Sequence, residues 1–160
     1  MRRMRYLLSF CTAAACAALL YGLSVRFPNP LTQVLFPVNG SPWELGKLAL
    51  WPGSCAALVL RRLDGGGSRS GLCAAVLLSV GAAMALGAAG LSPVLVCPLA
   101  AAVGLIAYAL ALRRLRGGEL LWYTALILLS IACILFTILP PSGALFADPA
   151  DVSVVAPIPF

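Results

Sequence analysis

Five long apolar stretches, separated by short polar or proline-rich segments, occupy most of this 160-residue chain. Hydrophobic residues make up 62% of the sequence and charged residues only 10%, against about 25% in ordinary soluble domains. A soluble fold of this length could not bury so much apolar surface, whereas each helix that spans a bilayer needs about 20 apolar residues. The pattern therefore predicts an all-α, polytopic membrane bundle.

The five stretches predict helices at about 6–25, 42–62, 71–91, 94–112 and 120–139, followed by an irregular tail over 140–160. We interpret the chain, 1–160, as a single integral membrane domain. The second helix depends on the residues before it, because the apolar stretch at 48–60 is too short to span. Ser41 to Glu44 has the form of a capping box with proline at the first helical position, which starts this helix early. Pro52 should kink it and free the carbonyl of Leu48.

The first stretch has two further interpretations, because a basic start followed by apolar residues is also typical of a signal peptide. The stretch is long for a signal sequence and lacks a clear polar cleavage zone, which favours an uncleaved helix. A lipoprotein cysteine at Cys16 is disfavoured because alanines precede it. We interpret all six cysteines as small apolar helix residues. They are Cys11, Cys16, Cys55, Cys73, Cys97 and Cys133.

The basic residues predict the orientation. With five spans, nine of them fall on the first side and two on the second. The first side holds Arg2, Arg3, Arg5, Arg61, Arg62, Arg69, Arg113, Arg114 and Arg116, and the second holds Arg26 and Lys47. Because cytoplasmic loops carry the excess of Lys and Arg, the N-terminus is predicted to be cytoplasmic and the tail external. We expect a multi-pass protein of the bacterial cytoplasmic membrane.

Several function classes are disfavoured. The chain has no histidine, no zinc or nucleotide motif, and no charge in the middle of an apolar stretch. Proton relays, voltage sensors and most ion-coupled carriers need such charges, and nucleic-acid binding needs basic and aromatic residues interleaved on a polar surface. We therefore predict no metal, cofactor or nucleic acid. The small pairs Gly81/Ala85 and Ala83/Gly87 indicate close helix packing.

The segment before and within the second helix is the candidate site. Its polar residues are Asn39, Ser41, Trp43, Glu44 and Lys47. The structural interpretation, which we favour, is a capped helix with Trp43 at the membrane interface and Lys47 snorkelling outward. The functional alternative is an external polar pocket, in which Glu44 would be a general acid/base or ligand, Asn39 a hydrogen-bonding group and Lys47 an anion contact. A Ser41–Lys47 nucleophile pair is conceivable, although capping already explains Ser41.

Two distant stretches match one family pattern. They are NP at 29–30 with FPVNGSPWELGKL at 36–48, and PP at 140–141 with LFADP at 145–149. They resemble the domain-of-unknown-function 6512 family of bacterial multi-pass membrane proteins, with its NP, PVNESxWEHxKL and PPxxxLFxDP segments. Gly40 and Leu45 stand where that family has glutamate and histidine, so a site built on those groups would be incomplete in this chain. The resemblance adds Asp148 to the candidate patch and implies an architecture rather than a reaction.

Together these features predict an interaction or accessory component with a polar external face. Its expected partners are membrane lipids and another membrane protein. The alternative is a membrane-embedded enzyme, or a protein that handles lipids or small solutes, using the 39–47 face; the sequence leaves open whether the chain is an enzyme. One geometric expectation follows from the topology and the resemblance: the tail near Asp148 should approach residues 39–47 at one end of the bundle.

Overall fold

The protein is a bundle of helices. The computed structural model describes residues 2–27, 30–37, 39–65, 67–139, 141, 143 and 145–147, and all regular secondary structure in them is helical. The helices are α1 (Arg2–Arg26), α2 (Pro30–Leu35), α3 (Pro42–Asp64), α4 (Arg69–Ala88), α5 (Pro93–Leu110) and α6 (Glu119–Ile138), with a 3-10 turn at Leu112–Arg114. The predicted all-α class is confirmed. Each predicted helix is present with shifted ends, and the short α2 was predicted only as a loop or interfacial segment.

Four of the helices are long and apolar enough to cross a membrane. Their spanning segments are Met4–Leu23, Arg69–Ala88, Pro93–Leu110 and Glu119–Ile138. The helix α3 is not among them, although its 23 residues correspond to about 34 Å at 1.5 Å per residue. It carries charged residues near both ends and a short apolar middle. The structure thus supports a membrane bundle with four candidate spans, and a fifth span through α3 stays a prediction.

The helix α3 occupies the centre of the bundle. It packs against α1, α4, α5 and α6, most extensively against α4 and α1. The largest core cluster combines α3 residues with residues of α4, α5 and α6. Its buried members are Leu45, Leu48, Ala49, Leu50, Val76, Val80, Ala83, Val96, Ala100 and Cys133. Because its neighbours cover it, α3 does not need the apolar surface that a lipid-facing helix requires.

Small residues let α3 and α4 approach closely. A Cβ added to Gly87 would lie 2.7 Å from Leu45 Cδ1 and 3.3 Å from Pro42 Cα, so only glycine fits there without movement. Ala83, one turn earlier, is fully buried, whereas Gly81 and Ala85 are exposed. Of the two predicted small-residue pairs, the pair Ala83/Gly87 therefore lies at the helix interface and the other does not.

Cysteines pack as small apolar residues, and one has a backbone partner. All six are free thiols, and the thiols of Cys16 and Cys55 lie 3.9 Å apart. Pro52 lies inside α3 and leaves the carbonyl of Leu48 without its usual helical donor. The thiol of Cys97 on α5 donates to that carbonyl across 3.6 Å. The carbonyl that Pro52 was predicted to free is thus satisfied by a neighbouring helix.

The helix ends gather at two opposite ends of the bundle. The arginine-rich end combines the start of α1, the end of α3, the start of α4, the 3-10 turn and the start of α6. Two serine hydroxyls tie the α3–α4 loop and α4 to the α5–α6 connection there: Ser68 donates to the carbonyl of Leu115, and Ser70 donates to that of Gly117 at 3.0 Å. The Lys47 end combines α2, the start of α3, the end of α6 and the described tail residues.

Candidate functional site

The start of α3 is capped by two parts of the chain, the segment that precedes it and the tail. The hydroxyl of Ser41 accepts from the Glu44 N–H at 3.3 Å, as the capping box predicted. The side-chain oxygen of Asn39 accepts from the Ser41 N–H at 3.1 Å. Since Pro42 has no N–H, the next unpaired donor is Trp43, which donates to the carbonyl of Leu145 in the tail at 3.0 Å.

Lys47 points into the bundle rather than out of it. Its side chain is 0% exposed, and its Nζ lies 2.7 Å from Glu44 Oε2. The Nζ also donates to the backbone carbonyl of Gln33 at 3.4 Å and to the hydroxyl of Thr137. The prediction that Lys47 snorkels outward is therefore wrong. Because other elements cover the start of α3, the ammonium lies among acceptors from α2, α3 and α6.

The acceptors around Lys47 match the chemistry of an ammonium group. An ammonium has three donors and no acceptor, and the three oxygens from Glu44, Gln33 and Thr137 engage it. The Thr137 hydroxyl in turn donates to the carbonyl of Cys133 at 2.7 Å. Burying an unpaired charge is very costly, so this arrangement is what permits Lys47 inside an apolar bundle.

An aromatic cluster docks the tail beside this pair. Trp43 lies between Phe136 of α6 and Phe146 of the tail, with both ring-centroid distances at 5.3 Å. Phe136 and Phe146 meet edge to face at 5.6 Å, a favourable geometry for aromatic rings. The indole Nε1 of Trp43 is buried and has no hydrogen-bond partner among the described residues. The tail is thus fixed at the Lys47 end by ring contacts and by one backbone hydrogen bond.

The predicted patch is mostly assembled, with one residue outside the described chain. Asn39, Ser41, Trp43, Glu44 and Lys47 lie together at the Lys47 end. Asp148 lies outside the described residues. The expectation that the adjacent tail approaches this segment is confirmed by Leu145 and Phe146.

The hydrogen bonding at this end opposes two of the chemical alternatives. Ser41 is buried and its hydroxyl serves the helix cap, while Lys47 Nζ bonds to other groups, so the two do not act as a nucleophile and base. The side chains of Glu44 and Lys47 are 7% and 0% exposed, which leaves little of either for a ligand. This geometry describes an internal charge pair that joins helices.

Asp64 at the arginine-rich end is a second buried charge, which the sequence patterns did not single out. Its side chain is 3% exposed and accepts two hydrogen bonds from Arg113, each 2.9 Å long. The hydroxyl of Tyr108 lies 3.3 Å from Asp64 Oδ2, and Arg5 lies 3.7 Å from Oδ1. The hydrogen bonds and charge of Asp64 raise the pKa of the Arg113 guanidinium. The carboxylate thus joins α1, α3 and the end of α5.

One signal in the sequence could have drawn attention to Asp64. It is the single acidic residue between Glu44 and Glu119, and it follows a pair of arginines. The structure extends α3 to Asp64 and ends it at Gly65, whose φ of 53° is left-handed. A carboxylate in the last turn opposes the helix dipole, so it needs compensating cations nearby. The spacing in the sequence does not indicate which of the nine arginines on the same predicted side supply them.

Metal binding and known relatives give no further assignment. Within the described part of the chain, no three Cys, Asp or Glu side chains are grouped so that they could hold a metal ion. No family model, no curated protein and no solved structure matches this chain.

Proposed function

We propose that this protein is an accessory or interaction component of the bacterial cytoplasmic membrane, with its arginine-rich end in the cytoplasm and its Lys47 end outside. The strong bias of nine basic residues against two supports this orientation. In this topology α3 crosses the membrane as a fifth, lipid-shielded helix. The expected partner is another membrane protein.

The small buried area of α6 is the observation that carries this proposal. Among the described residues of α6, only Cys133 is buried, whereas α4 buries eleven residues. Most of α6 is a broad apolar surface that includes Leu121, Leu128, Ile131 and Leu135. Helices associate in lipid through packing, so a helix held on one side can offer the other to a second membrane protein.

The sealed charge pair at the Lys47 end supports an accessory role over catalysis. Glu44 and Lys47 hold α2, α3 and α6 together, and both charges are shielded by those helices. A catalytic acid or base must reach a substrate proton within hydrogen-bonding distance. Neither residue lines the cationic cavity at the other end of the bundle or the apolar cavities between the helices described here.

Site-specific photo-crosslinking in native membranes tests the proposal. A photoreactive amino acid at Leu128 or Ile131, which lie on one face of α6, should capture the same discrete membrane protein from both positions. The matched control positions are Leu8 and Leu19 on α1, whose side chains have similar exposure. Equal capture from α1, or capture of lipid alone at both α6 positions, would contradict the proposal.

We also propose that the chain belongs to the domain-of-unknown-function 6512 family. The support is that the two stretches that resemble this family meet in space. Trp43 of the first stretch contacts Phe146 of the second and bonds to the carbonyl of Leu145. Any family-wide site that needs glutamate and histidine would still lack both groups here, at Gly40 and Leu45.

The alternative function, an enzyme or lipid- or solute-handling protein at the 39–47 face, has one favourable observation. Ionisable residues inside membrane bundles are often functional, and the Glu44–Lys47 pair is such a pair. The variant Glu44→Gln separates the two proposals. A structural pair predicts a less stable protein, whereas a catalytic or binding role predicts a normally folded protein that has lost turnover or ligand uptake.

A further inference from the structure

The arginine-rich end contains a large polar cavity. Its volume is about 1050 Å³, and it lies between the start of α4, the 3-10 turn and the start of α6. Its charged lining residues are Arg69, Arg113, Arg114, Arg116 and Glu119. Four guanidinium groups against one carboxylate make this a strongly cationic surface.

The arginines of this cavity differ in how they are held. Asp64 fixes Arg113 through two hydrogen bonds, and Arg69 lies 4.0 Å from Glu119 in an exposed pair, which contributes little. None of the described carboxylates lies within 4.0 Å of Arg114 or Arg116. A positive-inside bias requires only that more basic residues lie on one side of the membrane than on the other. It does not require that separate segments bring them to one cavity.

An apolar groove of about 170 Å³ shares one lining residue with the cavity. It runs between α3, α4 and α6, and its lining includes Leu58, Cys73, Val76, Tyr123 and Leu126. Arg61 and Arg69 also line it, and Arg69 lines the cavity as well. From Arg69 to Val76 the groove follows α4 for about 10 Å at 1.5 Å per residue.

We propose that the cavity and groove form a binding site for one anionic phospholipid. The phosphate group lies in the cavity near Arg69, Arg114 and Arg116, and one acyl chain lies in the groove. Charge complementarity supports this occupant, because basic pockets between membrane helices on the cytoplasmic side bind anionic headgroups. The groove supports a lipid over a soluble phosphate, since its lining is apolar. The site stands apart from the partner surface proposed for α6.

The test compares lipid binding by purified protein in a neutral detergent, measured by native mass spectrometry. Phosphatidylglycerol should bind at least about tenfold more tightly than phosphatidylcholine with the same acyl chains. The double variant Arg114→Gln/Arg116→Gln should lose roughly tenfold or more of this affinity, since each basic residue near an anionic lipid contributes to binding. The matched control is Arg62→Gln, an exposed arginine at the same end that lines neither the cavity nor the groove. It should bind like the native chain.

Two further arms identify the source of the phosphate. Glycerol phosphate alone should bind far more weakly than phosphatidylglycerol. The variant Ser54→Leu, which narrows the groove, should weaken lipid binding while thermal unfolding verifies its fold. If it fails to fold, short-chain phosphatidylglycerol replaces it and should bind more weakly than the long-chain lipid. The proposal would be overturned if the two headgroups bound equally or if the double variant bound lipid like the native chain. It would also be overturned if folded Ser54→Leu bound lipid unchanged, if the two chain lengths bound equally, or if glycerol phosphate bound as tightly as the lipid.

Discussion

The two ends of the bundle both bury a charged side chain, yet they neutralise it differently. At the Lys47 end, one carboxylate on the same helix and two neutral oxygens surround an ammonium. At the arginine-rich end, Asp64 accepts from Arg113 and Tyr108, with Arg5 nearby and exposed arginines beyond. The first arrangement is closed, and the second continues into a cationic cavity. Lys47 and Asp64 are therefore buried to a similar degree, but Lys47 belongs to a sealed structural pair, whereas Asp64 lies next to an accessible cationic surface.

The largest effect is expected for Lys47→Met. Removing one member of a buried pair leaves the other charge uncompensated, which costs about 3–5 kcal/mol. The double variant Glu44→Gln/Lys47→Met should recover much of this loss because no buried charge remains. Unfolding in detergent micelles measures both free energies. A Lys47→Met protein that is as stable as the native chain would show that the end is open to water.

A smaller loss is expected for Asp64→Asn. Hydrogen bonds to charged groups contribute about 1.5–3 kcal/mol, and Arg113 is partly exposed, so water can solvate it when the carboxylate is removed. The control Glu119→Gln removes the exposed partner of Arg69 and should change the free energy of unfolding by less than about 1 kcal/mol. If Asp64→Asn lowers the free energy of unfolding more than Lys47→Met does, then the carboxylate at the arginine-rich end, and not the Lys47 pair, is the more tightly sealed charge.

Glycine substitutions compare how tightly each end is packed. In Gly71→Ala the new methyl would collide with the backbone carbonyl of Leu112, so we expect a loss of about 1–3 kcal/mol. In Gly87→Ala the nearest atom is Leu45 Cδ1, the end of a side chain, and the backbone atom Pro42 Cα lies farther off at 3.3 Å, so the loss should be smaller. The control is Gly81→Ala, where nothing lies within 4 Å. Thermal unfolding should show the largest loss for Gly71→Ala, a smaller one for Gly87→Ala and the smallest for Gly81→Ala. A larger loss for Gly87→Ala than for Gly71→Ala would place the tighter packing at the Lys47 end.

The smallest effects are expected at the helix caps. Ser41→Ala and Ser68→Ala each remove a hydroxyl that accepts a backbone N–H, which should cost about 1 kcal/mol. Ser68→Ala should lower the free energy of unfolding more than Ser41→Ala, because the Ser68 hydroxyl also donates to the carbonyl of Leu115. The matched control is Ser92→Ala, since Ser92 precedes α5 without a side-chain capping bond. Chemical unfolding measures all three, and an equal loss at Ser92 would remove capping as the cause.

The helices were predictable because their signals are local. Apolar length located α1, α4, α5 and α6, and the Ser41 cap located the start of α3. The buried direction of Lys47 was not predictable from spacing alone, since it depends on α3 lying at the centre of the bundle. One signal was present: α3 is the long helix too polar to qualify as a span, and a helix covered by its neighbours tolerates polar residues.

The contacts across long sequence distances were harder to predict. Asp64 and Arg113 are 49 positions apart, and no spacing rule connects them. The meeting of Trp43 with the tail was expected from the alternation of sides together with the family resemblance. Topology thus predicted which segments share an end, but only packing identified the individual partners.

The bond from Trp43 to the carbonyl of Leu145 has a consequence for the order of synthesis. The ribosome makes the start of α3 about 100 residues before the tail at a rate of about 5–20 residues per second. During that interval Trp43 lacks its tail acceptor, and Lys47 lacks the Thr137 hydroxyl of α6. The central helix therefore completes its polar contacts only after the last helix has been made, so it matures late although it is synthesised early.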